Sequence, residues 1–144
     1  MEFGWINLFG VAVVIFLMIP NIVYATKNKD EKNRCTNKYM NITEQIGRYG
    51  CIVLMWFPFL VWEFKFNNIF EMLLYIVGNC LLLAIYWSVF AQYLKEKSVN
   101  RALVLAILPT CIFLLSGLLL RHWLLVCFAF IFAVGHIYVT KKNI

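Results

Sequence analysis

At 144 residues the chain is one domain by length. Apolar residues make up 63% of it and charged residues 14%, against about 45–50% and 25% in a soluble domain, which excludes an ordinary soluble fold. The formal charge of +6 speaks against nucleic acid once its placement is seen, because eleven of the 13 Lys and Arg residues lie in three short stretches between long apolar runs and no DNA- or RNA-binding motif accompanies them.

The first apolar run, Phe3 to Ala25, is long enough for a hydrocarbon core of about 30 Å, which needs roughly 20 apolar residues. Val23-Tyr24-Ala25 resembles a leader cleavage site. However, Met1-Glu2-Phe3 lacks a basic start and the positive charge follows the run, so the segment reads as a retained span. Thr26 to Asn41 is expected to be a loop, rich in basic residues. The second span begins near Gln45 and ends near Trp62; Arg48 then lies inside it and snorkels to the surface. The third, Ile69 to Leu94, is the clearest. From Ala102 to Thr140 only Arg121 and His122 interrupt the run, and one helix of that length would reach nearly 60 Å at 1.5 Å per residue. It is therefore two spans joined by a hairpin at Arg121-His122, with Gly117 helping to end the first.

The expected fold is all-α: a polytopic integral membrane protein whose single domain, 1–144, is a bundle of five transmembrane helices. The spans are approximately 3–25, 45–62, 69–94, 102–120 and 123–140. Loops rich in Lys and Arg face the cytoplasm. The stretches holding Lys27 to Arg48, Lys95 to Arg101, and Lys141-Lys142 carry eleven basic residues against Asp30, Glu31, Glu44 and Glu96. The opposite side has Lys65 and Arg121 against Glu2, Glu63 and Glu71. The N-terminus is thus expected outside and the C-terminus in the cytoplasm, in a bacterial plasma membrane. Trp5, Trp62 and Trp123 fall at outer ends and Tyr24, Tyr39, Tyr49, Tyr93 and Tyr138 at or near inner ends, as interfacial aromatics should. In this topology the sequon Asn41-Ile42-Thr43 is cytoplasmic, and Lys141-Lys142 needs no reading beyond charge bias.

Catalytic motifs are missing. The five cysteines form no C-x-x-C pair, the two histidines fall near opposite faces, and the one aspartate lies in the basic loop. No metal or cofactor is expected. The third helix carries the main polar signal: Glu71, Tyr75, Asn79, Tyr86 and Tyr93 fall within an arc of about 80° along about 33 Å of helix. Polar groups at membrane depth usually face a bundle interior or a water-filled cavity. Asn79 also suits interhelical hydrogen bonding. A second cluster is expected at the inner end: Asn21 after Pro20, Arg48 four residues after Glu44, and His136 on a face with the small residues Ala129 and Ala133. Glu63, Glu71, Arg121 and His122 become neighbours if the outer hairpins meet.

The expected function is non-catalytic binding or transport of a small neutral or cationic solute or ion. Its site residues are Glu71, Tyr75, Asn79, Tyr86, Asn21, Arg48 and His136, and its partners are the lipid bilayer, the solute or ion, and a further copy of the chain. One alternative is an accessory or immunity-type protein that binds another membrane protein, leaving the polar stripe as packing. Another is a lipid-modifying enzyme at the inner surface, with Arg48 and His136 as its groups.

Overall fold

The computed structural model describes residues 8–27, 36–57 and 68–143. They form five helices: α1 Leu8–Lys27, α2 Lys38–Trp56, α3 Ile69–Lys95, α4 Val99–Leu119 and α5 Trp123–Asn143. Trp5, Pro58, Trp62, Glu63, Lys65, Cys35 and the loop charges Lys29 to Arg34 lie outside the described residues. So do the ends of the two expected spans that reach into 3–7 and 58–62.

Three of the helices begin on a side-chain cap. Asn37 accepts from the Tyr39 and Met40 amides at 3.1 and 3.3 Å, Asn68 from the Glu71 amide at 2.8 Å, and Ser98 from the Arg101 amide at 3.2 Å. Each satisfies amides that a helix start leaves without partners. The cap at Asn37 corrects the expected loop and the expected second span. α2 starts at Lys38, seven residues before Gln45, and its described helix ends at Trp56. Hydropathy treats Lys38 to Glu44 as loop because the segment is polar; the cap makes it helix nonetheless. By contrast, α3 to α5 begin and end within three residues of expectation.

The hairpin between α4 and α5 falls at Arg121-His122 as expected, but Gly117 is not its pivot. Arg121 holds the left-handed conformation, with φ of 55°. The His122 amide donates to the Gly117 carbonyl at 2.8 Å and the Arg121 amide to the Leu118 carbonyl at 3.3 Å. This is the Schellman ending, normally built on glycine. What Gly117 supplies is room: a methyl there would meet Val126 at 2.8 Å. Between α3 and α4, Arg101 closes the three-residue link by donating to the Glu96 carbonyl at 2.8 Å.

Contact registers give the topology. Gly50 meets Phe128, Gly47 meets Phe132 and Gly135 meets Glu44, so α2 and α5 run antiparallel. Asn79 meets Ser116 across the antiparallel α3–α4 pair. Phe9 meets Tyr75 while Asn21 meets Tyr86, so α1 and α3 run parallel. Lys27, Lys38, Lys95, Arg101, Lys141 and Lys142 therefore collect at one end of the bundle, and Arg121 lies at the other. The main core joins Val14 and Leu17 of α1, Leu54 of α2, Tyr86 of α3, Ile112 and Phe113 of α4, and Ala129 and Phe132 of α5.

α1, α3, α4 and α5 are long and apolar enough to cross a membrane. α2 is not in this group, since its first three turns carry Lys38, Asn41, Thr43, Glu44, Gln45 and Arg48. The architecture is all-α and suits a small multi-pass integral membrane protein.

The α2–α5 seam is set by backbone proximity. A methyl on Gly47 would lie 2.5 Å from the Phe132 Cα, and one on Gly135 would lie 2.5 Å from the Glu44 nitrogen. Small residues allow such approach where lipid offers no hydrophobic drive for helix association. Gly47→Ala and Gly135→Ala should each destabilise the protein by about 1–3 kcal/mol, the usual cost of overpacking. Gly78→Ala should cost far less, because its methyl meets the movable tip of Leu115 at 2.6 Å. Thermal unfolding in detergent measures all three; equal losses would contradict the backbone contact.

Candidate ligand-binding site

The stripe on α3 faces the bundle, yet its members do different things. Tyr75, Asn79 and Tyr86 are buried. Near the N-terminal end of α3, Glu71 accepts from Arg121 at 3.2 Å, joining α3 to the α4–α5 turn. Tyr75 is fully enclosed beside Leu120, with the Phe9 ring 6.5 Å away. Asn79 donates to the Tyr75 carbonyl at 2.9 Å and to the Ser116 hydroxyl at 3.2 Å. Ser116 lies outside the residues expected at the site, although a buried serine on α4 is the natural partner for a buried asparagine. Asn79 therefore ties α3 to α4, and the stripe does not line one continuous path.

Tyr86 belongs to another group. Pro20 lacks an amide hydrogen, so the Phe16 carbonyl one turn earlier has no helical donor. The Trp87 indole supplies one from α3 at 2.9 Å. One residue after the proline, Asn21 donates to the Leu17 carbonyl at 2.9 Å and to the Tyr86 hydroxyl at 2.8 Å. The break in α1 is thereby stitched to α3 at two points.

On the facing side, Glu44 and Arg48 form an ion pair along α2. Glu44 is only 6% exposed, because its backbone lies against Gly135. The second Glu44 oxygen lies 3.7 Å from His136 Nδ1, beyond hydrogen-bond range, and among the described residues neither atom has a hydrogen-bond partner. The His136 ring stacks on Phe132 at 4.7 Å.

Asn21, Arg48, Tyr86 and His136, from four helices, line one cavity of about 260 Å³. α4 completes it with Pro109 and Phe113, so all five helices contribute. A second cavity, of about 180 Å³, lies toward the basic end beside Tyr24, Tyr93 and Thr140. Asn21, Tyr86 and His136 border both, forming a polar belt between them. Of the seven expected site residues, the structure brings these four together. Glu71, Tyr75 and Asn79 lie elsewhere on α3. Among the described residues, no three His, Cys, Asp or Glu side chains lie close enough to share a metal ion. Comparison with protein-family models, curated proteins and solved structures finds no match.

The buried carboxylate decides how the pair responds to mutation. Arg48→Ala strands Glu44 without a counter-charge and should destabilise by about 1–3 kcal/mol, below the 3–5 of a fully buried pair because Arg48 is part exposed. The double variant Glu44→Gln/Arg48→Ala should recover part of that loss. Thermal unfolding of both variants checks this. No recovery would mean that Arg48 acts through packing alone.

Proposed function

We propose that this is a five-span, non-catalytic membrane protein that binds a small solute in the cavity bordered by Asn21, Arg48, Tyr86 and His136. The observation that carries this reading is the convergence of four polar side chains, from four helices, on one cavity with otherwise apolar walls. Pockets for small ligands have that composition: mostly apolar lining with a few placed polar groups. The two cavities on either side of the polar belt support passage toward the basic end as an extension of binding. α2 crosses as the fifth span, with its polar turns at the cytoplasmic side, and the N-terminus lies outside. Clustering of the basic residues at one end of the helices supports this orientation.

Binding is tested by thermal shift of the purified protein against ions, metabolites and lipids, since a ligand of the folded state raises its melting point. A stabilising solute should lose its effect in Asn21→Leu and Tyr86→Phe. It should keep it in Asn79→Leu, which costs only about 0.6 kcal/mol or slightly more of stability as a lost interhelical bond. The opposite pattern would move the site to the middle of α3.

Orientation has its own test. Single cysteines at Trp123 and Asn143, in a background without other cysteines, are treated with an impermeant thiol reagent in intact cells. Position 123 should label and position 143 should not; the reverse would invert the topology.

A further inference from the structure

We infer that the ligand of this cavity is an amphiphile with one anionic head, held by Arg48, and an apolar chain that enters from the bilayer between α1 and α2. This rests on the cavity being the binding site.

Polarity is graded across the cavity. The lining residues that retain exposure are Met18 and Asn21 on α1, Arg48 and Ile52 on α2, and His136 on α5, whereas Val14, Leu17, Phe113 and Phe132 are buried. The opening therefore lies between α1 and α2 and carries Asn21, Arg48 and His136, while the buried floor is hydrocarbon apart from the Tyr86 hydroxyl. Beside it, the outer surface of α1 exposes Ile15, Ile22 and Val23. A ligand reaching this opening comes through lipid.

The polar groups select the head. Arg48 spends Nη2 on Glu44, and a guanidinium has five N–H donors in all. The Tyr86 hydroxyl accepts from Asn21, which leaves its own proton free to donate. No acidic residue lines the cavity among the described residues, because Glu44 sits behind Arg48 against α5. A cationic head would meet Arg48 directly. A neutral head would leave the remaining guanidinium donors weakly answered, whereas a carboxylate or phosphate answers them with charge-assisted bonds. The size of about 260 Å³ suits a short chain or the first part of a longer one.

The test uses the full chain in nanodiscs of neutral phosphatidylcholine. Dose-dependent thermal shifts give apparent Kd values for decanoate, decyl phosphate, decanol and decyltrimethylammonium. At least one of the two anions should bind about tenfold or more tightly than decanol and the ammonium. Preference between carboxylate and phosphate separates a fatty-acid source from a phospholipid-like one. Arg48→Gln, made together with Glu44→Gln so that no charge is stranded, should erase the anion preference. Ile52→Trp and Met18→Trp, on the two sides of the opening, should each weaken binding of every chain. Two variants are used so that one folded protein suffices. If decanol or the ammonium binds as tightly as the anions and the Trp variants block it, the anionic head is wrong and the cavity reading stands. A shift untouched by both Trp variants places binding outside the cavity and overturns both.

Discussion

The arrangement of the basic end depends on a carboxylate packed against a glycine. Glu44 lies so close to Gly135 that a methyl on the glycine would meet the Glu44 backbone nitrogen at 2.5 Å. That proximity brings its two oxygens toward Arg48 along the same helix and toward His136 across the seam. Arg48 and His136 both border the cavity. A charge taken out of water is tolerable only with a counter-charge beside it, so the position of Arg48 follows from the burial of Glu44. The cavity wall is in this sense a by-product of how α2 and α5 close.

Along α3 three polar groups among apolar neighbours are answered by specific partners, and those answers divide the helix into parts. Glu71 is joined to Arg121, Asn79 to Ser116, and Tyr86 to Asn21. Pro20 adds one more, since the carbonyl it releases at Phe16 is taken by Trp87. A stripe on one face of one helix is thus three separate cross-links to three different elements. Polar residues at consistent angular positions share a direction, but they need not share a purpose.

Apolar runs, and the polar breaks between them, were enough to place α3, α4, α5 and the Arg121-His122 hairpin to within three residues. α2 was harder to read because its start is a local event. Asn37 caps a polar turn that hydropathy cannot distinguish from loop. At the site, the inward face of α3 follows from angular spacing alone, and the meeting of Asn21, Arg48 and His136 follows from their common position toward the basic ends of their helices. The burial of Glu44 does not follow, because i, i+4 spacing is the same for an exposed pair and an enclosed one. Its signal lay in Gly47, Gly50 and Gly135, whose lack of side chains permits a close seam. Which glycine on one helix meets which residue on another depends on pairing that no single helix encodes.

The α2–α5 seam also has a consequence for the order of assembly. α2 and α5 are the second and last helices of the described chain, with α3 and α4 made between them. During synthesis α2 is complete while the surface it closes on does not yet exist. It is also the helix least able to settle in lipid by its own apolarity. Gly47 and Gly50 have nothing to pack against until α5 emerges, and the Glu44 carboxylate keeps whatever hydration it can find. A later helix is thus the one that seats an earlier one, and this seam closes against the direction in which the chain is made.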